Sequence, residues 1–356
     1  MASRDARRPT MSSIARVLGV SVATVSYAFT RPEKLSVPVR ERVLAEAARQ
    51  GYGGPDPAAR QLSRGRTDTL GLLFTDELGH AFTDPAAVRF LQGLSASCQS
   101  AGLNLLLISS EASGGRPDAV ANAVVDGFVV YSVPVEDPHL DRIRQRRLPT
   151  VVVDSPPDLP DVDWVGADDR AGGRLLGELV AGLGHERVGI ITSTGRGAHA
   201  GAVDLDALWA APPSVHRNRI LGVAEALAAA GRPDPVVEQR PVLSRAAGAD
   251  ALTALLDRAP EVTAVCAMMD VLALGALDAA RARGLAIPDD LTVTGYDGIP
   301  DAAGADLTTV CQPLLDKGRL AGDLYLSHRP GDPPRRRTLP VHVQVRGSSG
   351  PPRAGG

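Results

Sequence analysis

Carboxylates stand where an α/β chain would bring them to a ligand. Several apolar runs end in a polar or acidic residue: LGLLF in Thr75 with Asp76, GFVV in Tyr131, TVVV in Asp154, AVCAM in Met269 with Asp270, and LTVTGY in Asp297. In open α/β sheets small molecules settle beyond the carboxyl ends of the strands, so these residues are candidates for hydrogen bonding to a polar ligand. An aspartate at a strand end can instead cap the following helix, and that reading stands beside the first for Asp154 and Asp297. Catalytic chemistry has little to draw on. No nucleophile elbow, HExxH pair, Walker A loop or paired metal-ligand spacing occurs, so no metal and no cofactor is expected. The stretch GRGAHA from Gly195 to Ala200 fits the loose GxGxxA pattern of dinucleotide sites, but no helix of adequate length follows before Pro212-Pro213.

The elements that would carry these residues follow from hydrophobic periodicity. Past Thr69 the chain alternates short apolar runs (LGLLF, LNLLLIS, GFVVYSV, TVVVD, RVGIIT, AVCAMM, LTVTGY) with stretches of crossover-helix length, such as Ala86 to Ala101 and Ala171 to Leu183. Strands buried on both faces need such continuous apolar runs, which makes the body an α/β, doubly wound parallel-sheet structure. The segment between Ser193 and Ser214, with Trp209, is either a lid over the ligand site or a surface insertion.

The amino-terminal part has a different period. Thr10 caps a helix whose apolar positions are Met11, Ile14, Ala15, Val17 and Leu18, and Gly19 ends it. Ser21 caps a second helix from Val22 to Phe29, three residues on, and a third follows Ser36 with Pro38 in its first turn. The second helix opens with small or hydroxylic side chains, Val22, Ala23 and Thr24, which allow its backbone close to a DNA groove. Residues 55–66, PDPAARQLSRGR, are basic and proline-bounded and read as a hinge.

Charge separates the two parts. The net charge of −3 over 356 residues conceals a head, residues 1–66, with twelve Lys and Arg against five Asp and Glu, leaving 26 against 36 for the rest. A basic head on an acidic body suits a polyanion at one end. Hydrophobic residues make up 44 % and charged residues 22 %, which fits folded domains rather than disorder, and no apolar run reaches the roughly 18 residues of a membrane span. With no leader and only Cys98, Cys266 and Cys311, widely spaced, the expectation is a cytoplasmic protein without disulfides and without a membrane partner.

The run TMSSIARVLGVSVATVSYAFTRPEKLSVPVRERVLAEAARQGY, followed by PDPAARQLSRGRTDTLGLLF, resembles the LacI/GalR (lactose repressor) family of bacterial regulators, and the likeness extends to about Arg346. The resemblance implies a helix-turn-helix DNA-binding domain at 1–54, a hinge at 55–67, a two-lobed effector-binding and dimerisation domain like periplasmic sugar-binding proteins at 68–347, and a disordered tail at 348–356. Val22, Ala23 and Tyr27 would face base edges of double-stranded operator DNA, Thr24 and Ser26 would position the backbone, and the caps Thr10 and Ser21 complete the set. Tyr27 stands where the motif usually has Arg. Leu62 would enter the minor groove with Ala59 beside it, and Arg60, Arg64 and Arg66 would make phosphate or minor-groove contacts. The effector residues carried over are Asp154, Arg219 and Asp297, with Phe82 and Tyr131 as walls, joining Thr75, Met269 and Asp270. Met269 departs from the family's Asn-Asp pair. A carboxylate–arginine set grips vicinal hydroxyls, so a sugar-like effector is expected, with the protein acting as a homodimeric repressor. Chain crossings between lobes are expected near Asp168, Asp297 and Leu326. A ligand-binding protein without DNA function, and less so a nucleotide-cofactor enzyme, are the competing readings.

Overall fold

The computed structural model describes residues 9–54, 65–74, 78–109, 119–194 and 199–353. The chain divides into two compact units at Thr67 and Asp68. In the first, helices α1 (Met11–Leu18), α2 (Val22–Thr30) and α3 (Val37–Gln50) enclose Ile14, Ala15, Val25, Ala28, Val43 and Ala47. Their boundaries are set by local chemistry. Thr10 and Ser13 form a reciprocal capping box, Gly19 closes α1 in the left-handed region (φ 66°), and the Ser21 side chain accepts from the Thr24 amide to start α2. The chain bends by 113° between α1 and α2, the geometry of a helix-turn-helix.

The second unit holds two sheets. Strands β1 (Thr69–Phe74), β2 (Asn104–Ser109), β3 (Gly127–Tyr131), β4 (Thr150–Val153) and β5 (Asp163–Ala167) belong to the first, with α4 (Pro85–Ser100) and α5 (Pro138–Arg146) between them. The chain then crosses, through α6 (Asp169–Gly182), into β6 (Val188–Ser193), β7 (Gly201–Val203), α7 (Val215–Ala229), β8 (Val236–Arg240), α8 (Arg245–Arg258), β9 (Ala264–Ala267), α9 (Asp270–Ala282), β10 (Thr292–Asp297) and β11 (Thr308–Cys311). Helix α10 (Leu314–Leu326) and β12 (Arg336–Leu339) return to the first sheet, and β13 (His342–Gln344) ends in the second. The sheet orders are β12-β5-β4-β3-β1-β2, wholly parallel, and β13-β11-β10-β9-β6-β8-β7, parallel except at its two edges. Central strands β3 to β6, β9 and β10 are buried along their whole length, as parallel packing requires.

Two expectations are corrected. The first crossing lies at Asp168, but the second follows β11 at Gln312-Pro313 rather than Asp297, and the third lies at Pro340-Val341 rather than Leu326. The short TTVC and the exposed RRTL carry no apolar run to announce a strand. Nor is the tail loose as far as it is described. The Ser348 hydroxyl accepts from the Thr308 amide at 2.8 Å and donates to the Val293 carbonyl at 2.6 Å. The Gly350 carbonyl accepts from the Thr292 hydroxyl at 2.9 Å and lies 2.9 Å from His185 Nε2. Polar contacts, invisible to hydropathy, hold residues 348–353. The 193–214 segment contributes the edge strand β7 and a short helix, Leu205–Ala210, whose Trp209 lies 4.9 Å from the Arg170 guanidinium.

Helix pairs in this unit approach through glycine. A Cβ at Gly93 on α4 would lie 1.9 Å from the Leu315 carbonyl oxygen, and one at Gly318 on α10 would lie 2.1 Å from that of Phe90. On α6 and α7 the corresponding pair is Gly173, 2.0 Å from the Arg219 oxygen, and Gly222, 2.2 Å from the Arg170 oxygen. Backbone meets backbone at both crossings. Gly173→Ala or Gly222→Ala is expected to cost about 1 to 3 kcal/mol in urea unfolding. Gly182→Ala, which meets open space, serves as the control, and a Gly173→Ala protein as stable as it would contradict the close crossing.

Candidate functional site

Two strands from different sheets end in the aspartates on which the site is built. Asp154 follows β4 with φ 62°, and Asp297 closes β10 with φ 119°, both in the region that side-chain-bearing residues avoid. Neither side chain caps a helix. Instead each meets a buried cation. Lys317 Nζ on α10 donates to Asp154 Oδ1 at 2.8 Å and Oδ2 at 2.9 Å, and to Gln312 Oε1 at 2.8 Å. Gln312 Nε2 donates to Asp297 Oδ1 at 2.7 Å. Arg219 on α7 donates from Nη1 to the same oxygen at 3.1 Å and to the Met268 carbonyl at 2.6 Å, and from Nε to Asp169 Oδ1 at 2.8 Å. The Arg219 guanidinium also lies 3.7 Å from the centre of the Tyr296 ring.

The Gly173–Gly222 crossing makes the Arg219–Asp169 contact possible, since Asp169 and Arg219 lie on the same two helices within four residues of it. On α10 the Gly318 crossing similarly buries its neighbour Lys317, which is 1 % exposed.

Between the sheets these groups line a cleft of about 650 Å³. Tyr131, Asp154, Arg219, Met269 and Asp297 border it, as do Lys317, Gln312, His216, Ser132 and Ser214. Tyr131 forms an aromatic wall, stacked on Phe74 with centroids 5.1 Å apart and tilted against Phe90 at 4.3 Å. Burial pushes the Asp297 carboxyl up to about 8, against the pull of Arg219, and pushes Asp270 up to about 6. Burial, then the Arg219 charge, holds the His216 imidazole down to about 3. Tyr131 stays a neutral phenol because burial, then Asp154, raises it well above its usual range.

In the head, Ser21, Val22 and Ala23 are exposed at the start of α2, while Thr24, Ser26 and Tyr27 are half-buried. The Ser21 and Thr24 hydroxyls lie 2.9 Å apart, and Lys34 Nζ sits 5.4 Å from the Tyr27 ring centre. Thr10 is bound into its capping box. Exposed Arg16, Arg31, Arg40 and Arg42 surround the module.

Comparison with known proteins fits both parts. A periplasmic binding protein-like domain model matches residues 178–349. The chain is 46 % identical over 348 residues to an HTH-type transcriptional regulator of Mycobacterium tuberculosis, covering 96 % of this chain and 95 % of that one. Among solved structures, a LacI-family transcriptional regulator from Corynebacterium glutamicum matches with a TM-score of 0.71 at 32 % identity, over 95 % of this chain and 98 % of that chain. The chain belongs to the LacI family. A complex of the transcriptional regulator CelR with cellobiose matches with a TM-score of 0.69 at 27 % identity, over 96 % of this chain and 100 % of that chain. As a LacI-family protein it is a DNA-binding transcriptional regulator, like these relatives, and not an enzyme.

Not every expected residue reaches the cleft of this LacI-family body. Asp270 is fully buried beneath it, accepting from the Thr309 hydroxyl at 2.6 Å and the Ile299 amide at 2.9 Å, so it braces the β10–β11 turn region rather than lining the site. Phe82 is 65 % exposed and is not among the lining residues, because its short helix, His80–Thr83, turns it outward. Thr75 lies outside the described residues, as do Ala59, Arg60, Leu62, Arg64 and Gly195 to Ala198 of the GRGAHA stretch. No group of three or more His, Cys, Asp or Glu is placed to hold a metal among the described residues, and no single helix there is long and apolar enough to cross a membrane.

Lys317, Gln312 and His216 escaped sequence reasoning. For Lys317 a signal existed: Leu314, Lys317, Gly318, Ala321 and Leu324 share one helical stripe, so the lysine occupies an otherwise apolar and small-residue face.

Two outcomes test this geometry. Lys317→Met strands a buried carboxylate and should destabilise the protein by about 3 to 5 kcal/mol, with much of the loss recovered in Asp154→Asn/Lys317→Met. Melting temperatures measure it, and equal loss in the single and double variants would argue against the pair. For Asp297 the folded carboxyl keeps its proton where the unfolded chain has released it. Its contribution to stability is therefore full below about pH 4 and is lost as pH rises through about 8. Asp297→Asn should flatten that part of the stability profile in denaturant titrations.

Proposed function

We propose that this regulator is a homodimeric repressor that binds double-stranded operator DNA through α2 and releases it when a small polar, sugar-like effector occupies the cleft. The observation that carries the reading is the convergence of Asp154 and Asp297, from two sheets, on one cleft whose volume suits a small metabolite. That the similar regulator CelR forms a complex with cellobiose supports a carbohydrate as the effector.

The mechanism follows from connectivity. The three crossings, at Asp168, Gln312-Pro313 and Pro340-Val341, are the points about which the two sheets can rotate. An effector bonded to both aspartates favours one angle between them. In a dimer that angle sets the spacing of two heads, and hence whether both α2 helices reach successive major grooves. Coupling of about 1 to 3 kcal/mol would change operator affinity roughly 5- to 150-fold. Residues Ala59, Arg60 and Leu62 take the minor-groove role in this reading, with Val22, Ala23 and Tyr27 on the base edges.

Mobility shifts with promoter fragments next to the gene, run across a salt series, test it. Log affinity should fall linearly with log salt. Ala23→Asp, at an exposed position, is expected to lower operator affinity about tenfold or more while leaving the melting temperature within a degree or so of the parent. The absence of any salt-dependent specific shift would sink the reading. Sedimentation should show a dimer at micromolar concentration.

A further inference from the structure

The cations lining the cleft are already matched. Lys317 donates its three ammonium hydrogens to Asp154 Oδ1, Asp154 Oδ2 and Gln312 Oε1, at 2.8, 2.9 and 2.8 Å. Arg219 faces two carboxylates, Asp169 at 2.8 Å and Asp297 at 3.1 Å. Arg219 keeps at least one of these ionised, so two cations meet two or three negative charges, and the lining adds a further acidic side chain, Asp84. Among the described lining residues no cation is left over. An incoming phosphate or carboxylate would have to leave water and compete with Asp169 and Asp297 for Arg219, or with Asp154 for Lys317, for charges that are already balanced.

One lining group is short of a partner. His216 Nδ1 is buried without a hydrogen bond, and no other unsatisfied buried side-chain atom among the described residues belongs to the cleft lining. Its imidazole is neutral at physiological pH, for the reasons of burial and Arg219 given above. A neutral ring nitrogen of this kind exchanges one hydrogen bond with a hydroxyl and offers nothing to an anion's charge. Elsewhere in the lining, Tyr131, Met269 and Leu314 present apolar surface of the sort that C–H faces cover.

We infer that the cleft selects an uncharged polyhydroxylated effector and rejects its phosphate esters and uronates, with His216 taking one hydroxyl and Lys317 fixing and neutralising Asp154. This rests on the cleft being the effector site, as proposed above.

Thermal unfolding and titration calorimetry of the full-length protein test the inference. One arm contains ribose, glucose, mannitol and cellobiose; the other contains the phosphate esters of ribose and glucose, glucuronate and inorganic phosphate. At least one uncharged compound should raise the melting temperature in a concentration-dependent way, as a native-state ligand must, and no anion should. His216→Ala should weaken that binding about 3- to 10-fold. A rise with any phosphate ester or uronate, or silence in both arms, overturns the inference. Mobility shifts with the same compounds separate it from the regulatory reading. An anion that raises the melting temperature and releases operator refutes selection for neutral ligands but leaves ligand-controlled DNA binding intact.

Discussion

A charge withdrawn from water must find a partner, and the architecture of the body is organised around that demand. Asp154, Lys317, Gln312, Asp297, Arg219 and Asp169 form one continuous chain of hydrogen bonds that begins in the first sheet, passes the second crossing at Gln312 and ends on α6. Removing Asp154 or either cation leaves a charged partner buried without compensation, which is far more costly than never having had the pair. The same bonds hold Asp154 and Asp297 in backbone conformations that would cost about 1 to 3 kcal/mol each if nothing imposed them. A ligand entering the cleft therefore meets acceptors whose directions were settled by folding.

Such a network needs helices closer together than side chains normally permit. Glycine supplies the approach at the points nearest the charges. Gly318 follows Lys317, Gly222 lies three residues beyond Arg219 and Gly173 four beyond Asp169. Gly172 and Gly295 do the same for the site's supports: a Cβ at the first would lie 2.0 Å from the Tyr296 hydroxyl oxygen, and at the second 2.1 Å from Asp270 Oδ1. Tyr296 in turn is the surface on which Arg219 lies. Packing and electrostatics are thus one problem here, because the distance that makes each ion pair strong is set by a backbone contact that excludes a methyl group.

This arrangement explains what the sequence discloses. Strands such as TVVV and LTVTGY are legible because parallel strands are apolar throughout, and helix ends are legible where Thr10, Ser21 and Gly19 act within a few residues of themselves. The aspartates at strand ends are visible for the same local reason. Asp270 looks identical by that criterion, yet its carboxylate turns towards Thr309 and Ile299, a choice made by neighbours 39 and 29 residues away. Strands β5 and β8 were hidden by charges that the fold satisfies: Asp163 pairs with Arg335 at 2.6 Å, and Glu238 pairs with Arg240 and Arg258. Lys317 was hidden in the same way, by a partner 163 residues distant. What periodicity misses is consistently a polar group whose burial is justified from far along the chain.

Head and body use charge in opposite ways, and function depends on keeping the two uses apart. In the head, Arg16, Arg31, Arg40 and Arg42 are exposed, where they add to a field that attracts phosphate and that salt screens. In the cleft, Lys317 and Arg219 are buried and matched, where they exert no long-range pull and instead orient carboxylates over a few ångströms. A surplus cation in the cleft would draw anions into it, and a matched pair on the head would weaken attraction to a duplex. The acidic balance of the remaining chain, 36 carboxylates against 26 cations, reinforces the division by making the body a poor surface for DNA. In the proposed mechanism, the response to a small neutral molecule is carried by geometry alone, through the angle between two sheets, without the ligand's own charge disturbing the electrostatics that would bind the operator.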